Sequence, residues 1–262
     1  MLYRDNVMQI SSLTRSFIGK HFQQYGCTGW TVEVLETLLD LAKDRGIVEI
    51  GAGHGQWARA LNDLYKESTG SDFEIVTAFD TMQELPLNAN VYRRTQPAHD
   101  YFYSKVQQCT NPFQVMEHPA TKGRVLMLVF PSPGSDMALD SLKAYIATGD
   151  NHDTLVYVGE GRGGANAPDE FFDYLEDNQW ILVKVMAVKS FGTKAREKLY
   201  ILKRPPVRST FVALEYARLC FVDRAFDPHD QTGSLPRKII CYSKASMSNS
   251  AFHGPSCCVM TD

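Results

Sequence analysis

No stretch of the sequence approaches the roughly 20 consecutive apolar residues that a membrane helix needs, so neither a span nor a membrane partner is expected. Cysteine is sparse: Cys27, Cys109, Cys220, Cys241, Cys257 and Cys258 are scattered without a C-x-x-C pair, and the N-terminus lacks a long apolar run of the signal-peptide kind. Both absences fit a reduced, cytoplasmic protein. An excess of one charge is missing as well. The formal net charge of -3 gives no global attraction to nucleic acid, leaves local patches open, and does not identify a partner. The basic residues Lys184, Lys189, Lys194, Arg196, Lys198, Lys203, Arg204 and Arg208 read as a solvated edge that discourages strand pairing, with a phosphate-facing patch for nucleic acid as the less expected alternative. His21, His54, His99, His152, His229 and His253 show no ligand spacing with cysteine or with one another, so no metal is expected. "CCVM" looks like a prenylation box, but Thr261 and Asp262 follow it and lipidation is not expected. There is no internal repeat.

What the sequence does contain is alternation of buried strands and amphipathic helices. Val34, Leu35, Leu38, Leu39, Leu41 and Ala42 fall at helical spacing, with Thr31 as N-cap and Gly46 as stop. Then comes "IVEIGAGHGQWARAL", residues 47–61, in which Ile47, Val48 and Ile50 predict a buried strand and Gln56 to Tyr65 a helix. Gly51, Gly53 and Gly55 fall in the turn between them, where a backbone without Cβ admits positive φ and close approach of a ligand. "EIVTAFD" predicts a second strand ending in Asp80, the place where a doubly wound fold puts an acid for a ribose hydroxyl pair.

Further along, residues 81–112 read as irregular and aromatic, "FQVMEH" as a short third strand and "RVLMLVF", 124–130, as a central fourth strand stopped by Pro131 and Pro133. Ser135 is expected to cap a helix running to Gly149, "TLVYVGE" to form strand five, and "PDEFFDYLEDN" a helix with Pro168 in its first turn. "WILVKVMAVKSF" and "EKLYILKR" are too close in sequence for a crossover helix and predict an antiparallel hairpin. The pattern is α/β with a doubly wound, mainly parallel sheet. It divides the chain into an N-terminal segment, 1–30, a domain over 31–204, and a C-terminal extension, 205–262, whose Ser-rich end is expected to be a mobile tail.

The order E-x-G-x-G-x-G, with Glu49 inside the strand end, differs from the dinucleotide fingerprint G-x-G-x-x-G. It resembles motif I of the class I S-adenosylmethionine-dependent methyltransferases. That resemblance implies a Rossmann-like sheet ending in an antiparallel hairpin, with S-adenosylmethionine as cofactor. It also implies that Gly51, Gly53 and Gly55 face the methionine and ribose, that Glu49 holds the ammonium end, and that Asp80 binds the ribose. A narrower group of uncharacterised methyltransferases is similar in its ordered motifs, W-A-x-P, I-V-E-I-G-A-G-T-G-Y-W-A, W-P-P, M-A and Y-V-G-E. Here they read "YGCTGW", "IVEIGAGHGQWA", "FPSP", "DMALDSLKAYIATGD" and "VYVGEGRGG", over residues 20–204. His54 and Gln56 replace Thr and Tyr, "FPSP" replaces W-P-P, and "CTGW" is a loose match; the backbone cradle is kept and the substrate pocket is altered.

The carboxyl ends of strands four and five should deliver Phe130, Pro131 and Ser132, as substrate-pocket residues, and Glu160. Glu160 is the candidate catalytic residue, a base or substrate anchor, with capping of the Gly-rich loop as the alternative. "FPSP" lacks the polar first residue of the amino-group methyltransferase motif, and N-methylation is not inferred. His118, beside Glu117, reads as a loop-capping residue rather than half of a dyad, because neighbours in a strand face opposite ways. The methyl acceptor is unassigned, a small molecule being the simplest case. Two rivals stand beside methyl transfer: a catalytically silent cofactor-binding scaffold or partner subunit, and a nicotinamide-dependent oxidoreductase.

Overall fold

Thr31 caps the helix that leads into the sheet of the computed structural model, in which residues 20–21, 24–82, 99–149, 151–190 and 196–205 are described. Its Oγ1 accepts from the Val34 N–H at 3.2 Å, and the helix α1 (Val32–Ala42) buries Val34, Leu35, Leu38 and Ala42. Burying each of the larger three contributes roughly 1.5–3 kcal/mol. After it come β1 (Ile47–Ile50), α2 (Gln56–Thr69), β2 (Val76–Asp80), β3 (Gln107–Gln108), α3 (Pro112–Glu117), β4 (Val125–Val129), α4 (Met137–Ala147), β5 (Thr154–Gly159), α5 (Asp169–Asp177), β6 (Ile181–Ala187) and β7 (Lys198–Lys203), with short 3-10 turns at His99–Tyr101 and Pro119–Thr121. The Ser-rich C-terminal stretch and Tyr92 lie outside the described residues.

The strands form one sheet in the order β3-β2-β1-β4-β5-β7-β6. Pairings among β3, β2, β1, β4 and β5 are parallel, whereas β7 runs antiparallel to both β5 and β6. The fold is a doubly wound, Rossmann-like α/β sheet with a C-terminal antiparallel hairpin. Opposite faces of the sheet bury separate cores. Ile47, Val76, Val125 and Val156 pack on one side with α1 and with Trp57, Ala58 and Leu61 of α2. Val48, Leu126, Leu128 and Tyr157 pack on the other with Val115 of α3, Leu142 and Tyr145 of α4, and Phe171 and Phe172 of α5. The winding reverses between β1 and β4, and a doubly wound sheet opens its ligand crevice at the carboxyl ends of such a strand pair.

Two expectations are corrected. "FQVMEH" is not a strand: residues Pro112–Glu117 are helical, with the Asn111 side chain accepting from the Gln114 N–H at 3.0 Å and Pro112 in the first turn. The neighbours Val115 and Met116 are both buried against the core on that face of the sheet. The third strand is instead Gln107–Gln108, a short edge paired with Phe79 and Asp80 inside the stretch read as irregular. Secondly, α4 runs Met137–Ala147 behind Asp136, and Ser135 Oγ accepts from the Met137 N–H only at 3.4 Å, just ahead of the helix.

Candidate functional site

The turn after β1 has Gly51, Gly53 and Gly55 at φ +77°, +56° and +72°, the left-handed region that a side chain enters at a cost. The end of β2 holds this turn in place. Gly51 and Ala52 donate to the Phe79 carbonyl at 2.9 and 3.0 Å, and the Gly53 N–H donates to Asp80 Oδ2 at 2.8 Å. The other Asp80 oxygen accepts from the Met82 N–H at 2.8 Å. Asp80 therefore stands beside the glycines as the sequence predicts, half-buried and oriented by two backbone amides.

Glu49 points to the α2 face of the sheet and is 1% exposed. Burial pushes its carboxyl up to about 8, the Asp80 charge adds to that, and a hydrogen bond from the Ala58 N–H in the first turn of α2 works against it. Glu49 Oε2 has no hydrogen-bond partner. A buried carboxyl with one oxygen unsatisfied is costly, and such a group is poised for a cationic partner.

At two of the glycines the missing Cβ makes room for the protein itself. A Cβ on Gly51 would lie 2.8 Å from Met137 Cε, and one on Gly55 would lie 2.6 Å from Val106 Cγ2 and 2.7 Å from Tyr103 Cβ. The segment before β3 is thus laid along the turn. Tyr103 N–H donates to the His54 carbonyl at 3.0 Å, Arg59 Nη1 donates to the Phe102 carbonyl at 3.0 Å, and the His54 and Phe102 rings stack at 4.2 Å. No sequence motif flagged this cover, because the contacts join distant residues without a local pattern.

Across the crevice, Phe130 leaves β4 at φ +52°, an uncommon conformation for a bulky residue and more so before proline. Its N–H donates to the Val158 carbonyl at 2.7 Å, so the strand ladder sustains a strain of about 1–3 kcal/mol. Pro131 is buried; its carbonyl accepts from the Ala167 N–H at 3.1 Å and from Asn166 Nδ2 at 3.4 Å. Ser132 Oγ accepts from the Gly134 N–H at 3.4 Å. Fully buried Asn166 also accepts from the Glu160 N–H at 3.0 Å, stitching the exits of β4 and β5 together.

Glu160 is committed to the backbone. Its Oε2 accepts from the Ala165 N–H at 2.8 Å and its Oε1 from the Arg196 N–H at 3.1 Å, clasping the loop after β5 to the start of β7. That is the capping geometry. His118 also caps, its Nδ1 accepting from the Ala120 N–H at 3.2 Å. Among the described residues there is no group of three or more His, Cys, Asp or Glu arranged for a metal ion, and no helix is long and apolar enough to cross a membrane.

No protein-family model and no curated protein matches the chain. Solved structures resemble it distantly. TrmK of M. capricolum, solved with S-adenosyl-homocysteine, has a TM-score of 0.38 at 7% identity, over 67% of this chain and 69% of that one. Magnesium protoporphyrin IX methyltransferase of Synechocystis PCC 6803, with bound SAM, gives 0.39 at 10%, over 73% and 97%. An rRNA methylase of Streptococcus thermophilus gives 0.37 at 16%, over 65% and 93%. At such scores the likeness carries no weight for function, and the fold class rests on the strand order described above.

Proposed function

We propose that the chain binds S-adenosylmethionine at the carboxyl ends of β1 and β2 and transfers its methyl group to a small-molecule acceptor. The observation that carries the reading is the pairing of two acids around one left-handed glycine turn at the sheet's reversal. Glu49 is buried with Oε2 unsatisfied, and Asp80 is held against Gly53. The buried acid suits the ligand's ammonium, and Asp80, oriented by two amides, retains lone pairs for ribose hydroxyls. Gly51, Gly53 and Gly55 supply the close backbone approach.

When bound, the sulfonium supplies the reactive methyl, so the protein's part is binding, orientation and exclusion of water. Phe130, Pro131 and Ser132 would line the acceptor side, with the strained Phe130 fixing where its ring starts. Glu160 serves as the clasp of that wall. The antiparallel β6–β7 pair sets the sheet apart from the parallel continuation of a nicotinamide-binding one, and the scattered cysteines fit a reduced cytoplasmic setting.

Calorimetric titration with S-adenosylmethionine, S-adenosylhomocysteine and NAD tests the reading. Binding of the first two and not the third is expected; binding of NAD alone would sink it. One observation favours a second reading, a cofactor-binding scaffold without turnover: Glu160, the candidate base, has a structural use of its own, bonding one backbone amide through each oxygen. Incubation of the protein and labelled cofactor with cell extract separates the two by whether a methylated product forms.

A further inference from the structure

The segment preceding α1 is pinned to the sheet edge and to Trp57 in the first turn of α2. Gly29 and Lys189 exchange two backbone hydrogen bonds, at 2.8 and 2.9 Å, so the segment extends the edge of the sheet beyond β6. Lys189 Nζ also donates to the Tyr25 hydroxyl at 2.8 Å, and the Tyr25, Trp30 and Trp57 rings follow one another edge to face at 4.9 and 5.4 Å. Trp57, in the first turn of α2, closes the chain of contacts by donating from Nε1 to the Thr28 carbonyl at 2.8 Å. Thr28 is therefore fixed in position.

Its side chain is nevertheless unspent. Thr28 is 1% exposed and its hydroxyl has no hydrogen-bond partner. The other orphan at this place is Glu49 Oε2, whose carboxyl group meets the Ala58 N–H, the amide that follows Trp57. Thr28, through its carbonyl on the Trp57 indole, and Glu49, through its carboxyl on the Ala58 N–H, are thus both tied to residues of the first turn of a long helix, and each keeps a buried oxygen without a partner. Native interiors satisfy such groups, and two of them left unpaired beside the first turn of α2 call for a ligand group with matching donors and acceptors. An ionised carboxylate only accepts, whereas a hydroxyl both accepts and donates. Together they match an α-amino-acid end, with its ammonium and adjacent carboxylate.

Resting on the proposed cofactor, we infer that Thr28 is a ligand-binding residue: its hydroxyl, with Glu49, receives the amino-acid end of S-adenosylmethionine. Residues 25–30 then belong to the binding site rather than preceding it.

The test compares Thr28→Val, which keeps shape and removes the hydroxyl, with wild type and Thr28→Ser. The ligands are S-adenosylmethionine and 5′-methylthioadenosine, which lacks the amino-acid end. For Thr28→Val, the ligand-free melting temperature should stay level or rise, because an unpaired buried hydroxyl is gone. Its Kd for S-adenosylmethionine should rise about tenfold, the scale of a lost hydrogen bond to a charged group. Its Kd for methylthioadenosine should not change, and Thr28→Ser should restore the wild-type value. Should Thr28→Val not fold, Thr28→Ala carries the same comparison. An unchanged Kd for S-adenosylmethionine, as when only a water meets the hydroxyl, overturns the inference, and so does an equal loss for both ligands. Wild type binding neither ligand overturns the cofactor reading itself, a result visible before any variant is made.

Discussion

Gly53 and Asp80, the one in the turn after β1 and the other at the end of β2, are joined by a hydrogen bond of 2.8 Å from the glycine amide to Oδ2. The bond makes Asp80 both a part of the turn and a candidate ligand group. Asp80→Asn keeps one acceptor for the Gly53 amide, and Asp80→Ala removes both. In a folded Ala variant, affinity for S-adenosylmethionine should fall by roughly 1.5–3 kcal/mol, as for a lost charged hydrogen-bond partner. Calorimetry with unchanged affinity would remove Asp80 from the site.

Gly55 separates packing from ligand contact. Gly55→Ala would place its methyl 2.6 Å from Val106 Cγ2 at φ +72°. The backbone term costs about 1–2 kcal/mol and the overpacking about 1–3 kcal/mol. Gly70, the C-cap of α2, is the control: it has φ +69° and nothing within 4 Å of a built Cβ, so Gly70→Ala should cost only the backbone term. Urea unfolding of the two variants without ligand measures the difference. Equal losses would show that residues 103–106 yield to the added methyl.

The glycine turn, both acids and the terminal hairpin were legible because each is written in a short run of sequence: a β-branched strand, spaced glycines, a helix period. Asn111-Pro112 was a readable helix start that the apolar look of "FQVMEH" obscured; the Asn111 side chain accepting from the Gln114 N–H shows which reading applies. Thr28, Met137 and the cover formed by Phe102 and Tyr103 carry no such local signature. Their placement depends on pairings between distant elements, such as Gly29 with Lys189 and Tyr103 with His54, that no periodicity encodes. Glu160 sits between these cases. Its position at the end of a buried strand was readable, whereas the two amides that claim it come from a loop and from β7's approach.

Glu160→Ala should free the Ala165 and Arg196 amides while leaving the cofactor-binding residues untouched. Stability should fall by about 1 kcal/mol, since water can replace part of each exposed bond. Hydrogen exchange at those two amides should quicken, with S-adenosylmethionine affinity retained. Once an acceptor is in hand, Glu160→Gln should turn over at the wild-type rate per folded molecule. A drop on the order of 10²-fold would instead make Glu160 a general base.

His152, at the opposite end of the sheet, should weaken the fold in acid. It is 2% exposed and stacked on Tyr145 at 4.4 Å. Its Nε2 accepts from the Gly123 N–H at 2.9 Å, and its Nδ1 lies 2.7 Å from the Tyr145 carbonyl. These contacts require the neutral ring, and burial lowers the folded pKa below the ordinary 6.5. The unfolded chain therefore binds the proton first. The contribution is complete above pH 6.5 and is lost as pH falls toward the folded value. Melting curves between pH 5 and 7, on the order of the histidine range, should show a steeper acid loss for wild type than for His152→Gln, with ligand affinity at pH 7.5 the same in both.

Glu49 has the opposite sign. Its folded carboxyl is raised from 4.5 to about 8, so the folded chain holds a proton that the unfolded chain releases across that window. The group's contribution to stability is greatest below the unfolded value and declines as pH rises toward the folded one. Glu49→Gln keeps the shape of the neutral acid, and its stability relative to wild type should increase from pH 6 to 8, about the upper part of that window. Ligand binding adds a second consequence. An ammonium needs the ionised carboxylate, so below pH 8 S-adenosylmethionine must displace the proton it meets on Glu49. Wild-type affinity should fall with decreasing pH, by up to about tenfold per unit, over a range kept below the 7.7–8.0 or so at which a free α-amine itself titrates. The binding heat at pH 7 should vary with the ionisation enthalpy of the buffer, reporting the release of about one proton. The Gln variant should bind more weakly, with neither the acid decline nor the buffer dependence. Matching pH profiles for the two proteins would mean that Glu49 does not meet the cation.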